Sequence, residues 1–376
     1  MKKILIFILV FSFFSFPVYA AEENKTGKDV ENLYRYIEEM KTDNQVLQEM
    51  DFRSLVSSYL NKEEGFSFKN LSKGILVYLN REIVGSYKDL SILIVICILF
   101  SLLTLIENSF NNENISSIAY YLCYLVIIIF LFKAFISCSN LAVDTIKKLS
   151  DFMTALIPVM LLLLASVGSF AQAALLDPLI IGGINIFTQV FLKFIIPLTM
   201  ISFSMEFVNG ISKEFSIDNL TKLIKQIIIW TIVGIMTIFI GILTIKGLSS
   251  STLDLVTAKT FKFAIDSFIP IVGGCLSDAV TAVASYGVVL KGAIGLVGFI
   301  VVIAIAVFPI VKLIIIALMF KLTAAIVEPI SDGKIVDLIS KAGDSLVILL
   351  ASLISVSFMF FILIAILSAT GRAIAG

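Results

Sequence analysis

Residues 292–320 read G-A-I-G-L-V-G-F-I-V-V-I-A-I-A-V-F-P-I-V-K-L-I-I-I-A-L-M-F, and the stretch carries one charge, Lys312. About 20 apolar residues suffice for a helix to cross the hydrocarbon layer of a bilayer. This stretch therefore reads as a membrane span, with Pro309 and Lys312 near its end. Further candidate spans are 90–106, 115–137, 152–176, 179–205, 226–247 and 345–368, about seven in all. The span at 90–106 is short, and 179–205 is interrupted by Lys193 and Pro197. Residues 263–290 are less apolar and hold Pro270, Gly273, Gly274, Asp278 and Gly287. They read as a re-entrant segment or a broken helix pair, since irregular backbone at membrane depth survives only where protein or water satisfies it.

The composition agrees. Of 376 residues, 59% are hydrophobic and 15% charged, and the mean hydropathy is +1.04. A soluble domain is nearer half apolar and a quarter charged. The expected fold class is all-α: a polytopic helical membrane protein with a short helical extracytoplasmic N-terminal segment. Lys+Arg and Asp+Glu both number 28, so no net field points to nucleic acid. There is no histidine, which excludes His-based triads, His-ligated zinc and haem sites. No G-x-x-x-x-G-K-[ST] string is present, nor the Y-D and G-x-G-D pair of an intramembrane aspartyl protease. Cys97, Cys123, Cys138 and Cys275 sit in or beside apolar runs and read as small buried residues. Sequence leaves a Cys123–Cys138 disulfide undecided. No enzyme activity, catalytic residue, cofactor or metal site is expected.

The first 20 residues have the parts of a secretory signal peptide: Lys2 and Lys3, an apolar run from Ile4 to Phe16, then Val18 and Ala20 before a cleavage point. An uncleaved anchor is the alternative. Both place the following residues outside the cytoplasm. Residues 22–89 hold 10 Lys/Arg and 13 Asp/Glu, against 16 and 15 in the 287 residues of 90–376. So a polar segment over 21–89 precedes a membrane domain over 90–376. Helical stripes recur in the polar segment: Val30, Leu33, Tyr34, Ile37 and Met40; Phe52, Leu55, Val56, Tyr59 and Leu60; Leu71, Ile75, Tyr78, Leu79 and Ile83. Their apolar faces need cover, from each other, the membrane or another protein. With seven spans and an external N-terminus, loops 139–151 and 206–225, carrying two and three Lys, fall outside, against the positive-inside rule.

Ionisable groups within spans are costly and are functional candidates by default. Lys193, Asp278, Lys291, Lys312 and Glu328 qualify. Each reads either as a snorkelling or ion-paired structural group, or as part of a polar path or a helix-to-helix lock. Gly292, Gly295 and Gly298 place small residues three apart, which lets helices approach closely. Packing within the bundle is the first reading and self-association into a homo-oligomer the second.

Several strings then recur in a familiar order: L-I-P-V-M-L-L-L-L-A-S-V-G at 156–168, I-K-G-L-S-S at 245–250, A-K-T-F-K-F-A at 258–264, F-I-P-I-V-G-G-C-L-S-D-A-V at 268–280, L-K-G-A-I-G-L-V-G at 290–298, F-P-I-V-K at 308–312 and A-A-I-V-E-P-I at 324–330. The chain resembles the stage III sporulation protein AE family of endospore-forming bacteria. The resemblance implies a polytopic member of a trans-envelope, feeding-tube-like and secretion-like channel complex in the mother-cell-derived outer forespore membrane. Its implied partners are the other proteins of the stage III sporulation A operon and stage II sporulation protein Q of the forespore. The implied role is support of late forespore gene expression and forespore integrity. The family's recurring turn corresponds to Pro270, Gly273, Gly274, Ser277 and Asp278, its glycine-rich helix start to Lys291, Gly295 and Gly298, and its later motif to Pro309, Lys312 and Pro329. Two positions depart: Gly292 stands where Asn is frequent and Glu328 where Gln is frequent. That weakens a charge-based role for Glu328. The residues alone suit a small-molecule permease equally well.

Overall fold

The computed structural model describes residues 31–39, 56, 91–99, 101–102, 113–166, 182–211, 217–268, 273–331 and 333–369. Among the described residues every regular element is helical. Five long helices carry the architecture: α1 (Glu113–Ser166), α2 (Ile196–Ile211), α3 (Asp218–Phe268), α4 (Gly273–Val327) and α5 (Gly333–Ala369). A helical stretch at 182–190 and a π-helical turn, Phe191–Ile195, lead directly into α2. Five described segments are long and apolar enough to cross a membrane: Tyr124–Ala165, Gly182–Val208, Asp218–Thr244, Gly287–Val327 and Gly333–Ala369.

Two expected spans, 115–137 and 152–176, meet in one helix, because the loop expected at 139–151 is helical. The reason is local. Residues 138–151 contain no glycine or proline. Cys138, Ala142, Thr145, Ile146 and Leu149 are buried while Asp144, Lys147, Lys148 and Asp151 are exposed. This is an amphipathic continuation at the helical period, so the charges mark a polar face and not a break. Cys97 and Cys138 are buried, as their apolar surroundings lead one to expect. At about 1.5 Å per residue, α1 is far longer than a bilayer is thick, so part of it stands clear of the lipid.

The interruption expected at Lys193 and Pro197 takes a definite form. Pro197 has no N–H to give to the helix, and the turn before it widens into the π-helix, with the Ile196 N–H donated to the Phe191 carbonyl. Lys193 lies on the exposed face of this turn beside Phe194, while Phe191 and Ile195 point into the bundle. Pro158 and Pro309 lie inside α1 and α4. Of the irregular stretch expected at 263–290, α3 runs to Phe268 and α4 starts at Gly273. Residues 269–272, with Pro270, lie outside the described residues.

α4 and α5 form the main packed pair, and α1 lies against both. α5 buries Leu338, Ile339, Ala342, Leu346, Leu349, Leu353, Val356, Phe360 and Leu363. Lipid tails give helices little hydrophobic reason to associate, so close backbone approach and shape matching matter more. Gly298 supplies this on α4: a Cβ there would lie 2.8 Å from Leu156 Cδ2 of α1 and 3.3 Å from Ile364 Cδ1 of α5. A Cβ at Gly295 would meet Ser368 of α5 and lie 3.6 Å from Met160 of α1. Gly292 is half-buried.

The N-terminal stretch 31–39 packs against α1 through Leu33 and Ile37, both buried. A cleft of about 320 Å³ lies between them, lined by Asn32, Arg35, Tyr36, Glu39, Thr154 and Pro158 among others. Partial burial, with the charges of Asp151 and Glu39, pushes the Tyr36 hydroxyl pKa above its ordinary 10.0.

Candidate functional site

The helix ends sort into two groups. At one end meet the C-terminal part of α2, the start of α3, the end of α4 and the start of α5. The 91–102 stretch reaches the same end, where the Ser101 hydroxyl donates to the Ile330 carbonyl. Tyr124 near the described start of α1 donates from its hydroxyl to the Phe207 carbonyl at 3.1 Å. The opposite end holds Met160, Gly295 and Ser368, and the 31–39 stretch packs on this half of α1.

At the first end an ionic cluster ties α2, α3 and α5 together. Glu206 of α2 is 3% exposed. Its carboxylate is ion-paired with Lys225 of α3, and Ser345 of α5, fully buried, donates to its other oxygen at 3.2 Å. Nearer the helix ends, Lys341 of α5 bridges Asp218 of α3 at 3.1 Å and Asp337 of its own helix at 2.7 Å. Lys321 of α4 pairs with Asp344 of α5 at 2.5 Å, and both groups are exposed. The last pair is a surface contact of small energetic weight. The Glu206 group differs, because a buried charge persists only when paired and hydrogen-bonded.

An aromatic cluster holds α1 against this part of α2. Phe135 and Phe203 stack with centroids 3.8 Å apart, Phe203 meets Phe207 edge-on at 4.7 Å, and Phe132 lies 5.8 Å from both Phe203 and Phe207. Glu206 thus lies beside Phe207 and one helical turn from Phe203, two rings held in this cluster. Along α2, Thr199, Ser202 and Glu206 occur at helical spacing, and all three are buried. This polar stripe runs from the ionic cluster toward the middle of the bundle.

The residues singled out in sequence do not converge on one site. Lys291 is fully buried within α4, one helical turn before Gly295. Lys312 and Pro309 are half-buried farther along α4. Glu328 and Pro329 are exposed in the turn between α4 and α5, where the Glu328 N–H is donated to the Ala324 carbonyl at 2.9 Å. They lie beyond the spanning part of α4 and not within it. Gly273, Gly274, Ser277 and Asp278 form the first turns of α4, and their side chains lie outside the described residues, as does Pro270.

Glu206, Lys225, Ser345 and Lys341 were missed in sequence. The span expected at 179–205 ends just before Glu206, and the loop expected at 206–225 is helical over 206–211 and 218–225. The signal was present in the order Thr199, Ser202, Glu206: polar residues on one face of an otherwise apolar helix. Among the described residues no group of His, Cys, Asp and Glu has metal-binding geometry.

A bundle of long apolar helices, several of them tied by ion pairs at one end, defines an integral membrane protein of the polytopic α-helical class. The sequence pattern of the family described as Stage III sporulation protein AE matches residues 50–371, and the chain belongs to that family. Stage III sporulation protein AE of Bacillus subtilis (strain 168) is 29% identical over 352 residues, covering 94% of this chain and 88% of the relative. No solved structure matches.

Proposed function

We propose that this chain is a non-enzymatic membrane component of a trans-envelope channel complex between mother cell and forespore. It forms or scaffolds a conduit in the outer forespore membrane and supports late forespore gene expression and forespore integrity. The observation that carries this reading is the family match over 50–371, which takes in the whole described membrane bundle. The partners in this reading are the other stage III sporulation A-operon proteins and, across the intermembrane space, stage II sporulation protein Q. A clean deletion tests it. Normal vegetative growth with failed late forespore expression and loss of heat-resistant spores is the expected result. Normal sporulation, or a vegetative growth defect, refutes it and favours a general permease.

The helical continuity of α1 supports an orientation within this reading. With the signal peptide followed by external residues 22–89, the 91–102 stretch carries the chain to the cytoplasmic side in this reading, and the contact of Ser101 with the Ile330 carbonyl supports putting that side at the ionic cluster. α1 then crosses once, so Lys225, Lys321 and Lys341 end on the cytoplasmic side, in keeping with the positive-inside rule. The packing of 31–39 against the far half of α1 puts external residues at the external end, which supports the same assignment. In this topology α5 delivers the C-terminus outside. A reporter fluorescent only in the cytoplasm, fused after Gly376, stays dark; fluorescence there refutes the topology.

A further inference from the structure

Two buried hydroxyls in the Gly182–Val208 span have no hydrogen-bond partner among the described residues: Ser202 Oγ on α2 and Thr188 Oγ1 in the helical stretch before it. Both residues are at most 2% exposed. Their neighbours solve the same problem locally: the Thr199 hydroxyl donates to the Ile195 carbonyl and the Ser352 hydroxyl, on α5, to the Ile348 carbonyl. A buried polar atom without a protein partner is ordinarily satisfied by water. Ser202 lies one helical turn from Glu206 on the same face of α2, about 6 Å along the axis, on the side toward the bundle interior. That face meets α5, since Ser345 bonds Glu206.

The counter-ion of Glu206 is not equally enclosed. Lys225 is 19% exposed against 2% for the Glu206 side chain. The lysine therefore has a route to solvent that the carboxylate lacks. Lys341, the other nearby cation, is held by Asp218 and Asp337. Among the described residues these groups and Ser345 face Glu206 from α3 and α5, and from α1 the Tyr124 hydroxyl reaches the adjacent Phe207 carbonyl. The Lys321–Asp344 pair lies outside this set on the exposed surface.

We propose that Glu206 is a proton-binding site inside the membrane bundle, reached through water held at Ser202, and that its proton is exchanged for the Lys225 ammonium. The step balances simply. Hydronium gives its proton to the Glu206 carboxylate, leaving water and a neutral carboxylic acid, while Lys225 withdraws to solvent with its charge. The acid keeps the Ser345 contact and gains an O–H donor for the water at Ser202. An unpaired carboxylate is not sustained in such a place, because burial favours its neutral form. Proton uptake and loosening of the α2–α3 contact are thus one event. Occupancy of the site at a given pH reports whether α2 and α3 are locked.

Dicyclohexylcarbodiimide reads this directly in the full-length protein in liposomes. It reacts with a protonated, membrane-embedded carboxyl: the acid proton passes to a carbodiimide nitrogen, the carboxyl oxygen bonds to the central carbon, and rearrangement leaves a stable N-acylurea found by peptide mass spectrometry. Glu206 is expected to be labelled in wild type, with yield falling as pH is raised, because only the protonated carboxyl reacts. In Lys225→Met the yield at neutral pH rises by roughly tenfold, the effect of one unit of acidity. Ser202→Val, which excludes the water, slows labelling without moving its pH dependence. Absence of Glu206 labelling in wild type at the acidic end overturns the proposal without needing any variant. Labelling that ignores pH, or that is the same in Lys225→Met, overturns it as well, and an unchanged rate in Ser202→Val removes the water route. None of these outcomes depends on sporulation, so failure here is distinct from failure of the proposed function.

Discussion

Replacing Gly298 with alanine isolates the close approach of α4 to its neighbours. The added methyl would sit 2.8 Å from Leu156 Cδ2 and 3.3 Å from Ile364 Cδ1. Favourable carbon contacts begin near ~3.5 Å, so α1 must give by about 0.7 Å, the difference between the two distances. Leu156 and Ile364 are fully buried, so neither side chain can swing out into lipid. Overpacking of this kind costs about 1–3 kcal/mol. Alanine also gains about 0.8–1.0 kcal/mol over glycine in helix preference, which masks part of the loss. Gly241, on α3, is the matched control, because nothing lies within 4 Å of its Cβ position. In Gly241→Ala only the helix preference acts, and the protein is expected to be stabilised slightly. Subtracting the two variants cancels the preference and leaves the steric cost: Gly298→Ala should be less stable than Gly241→Ala by about 1–3 kcal/mol. The assay is reversible SDS unfolding of the purified protein in mixed micelles, followed by helical signal. If the two alanine variants unfold within about 0.5 kcal/mol of each other, the close packing of α4 on α1 and α5 is wrong.

Further outcomes follow from the same geometry. Lys225→Met should destabilise the bundle by about 3 kcal/mol, near the lower limit for breaking a buried pair because Lys225 is partly exposed, and adding Glu206→Gln should recover more than half of this; strict additivity in the unfolding titration would refute the pairing. Asp344→Asn removes a pair that is exposed on both sides and should change stability by less than about 1 kcal/mol in the same titration. Raised above 10.0, the Tyr36 pKa makes the docked state favour the neutral phenol. Its stabilising contribution is therefore full below the free-tyrosine value and declines as pH rises through the folded one; hydrogen exchange at 31–39 should rise there in wild type and less in Tyr36→Phe. Gly274→Val, at the start of α4, should block spore formation at normal protein level; normal heat-resistant spore counts would remove any conduit role for the 270–278 stretch.

The helical class and membrane character were legible because they depend on composition along the chain. An apolar run such as 292–320 has one low-energy fate in a bilayer, a hydrogen-bonded helix. The break near Lys193 and Pro197 was legible for the same local reason, since a missing N–H must be accommodated wherever the helix lies. The expected loop at 139–151 failed on a different point. Its charges suggest the end of a span, but their helical spacing marks the exposed face of a continuing helix.

The polar face Thr199, Ser202 and Glu206 was legible, but the partners that complete the ionic centre were not, because its parts lie far apart in the chain. Glu206, Lys225 and Ser345 come from three helices, and nothing local distinguishes Lys225 from Lys222 or Ser345 from Ser352. By itself the sequence determined that this protein is a chain of long apolar helices behind a polar N-terminal segment, because burial of apolar surface and backbone hydrogen bonding act on each stretch alone. Only the tertiary structure decided that Gly298 is a contact point, that Lys193 faces outward while Lys291 is buried, and that Glu206 meets its cation and its hydroxyl. Those facts depend on which helix faces lie together, and side-chain packing between helices is a pairwise property that no single stretch encodes.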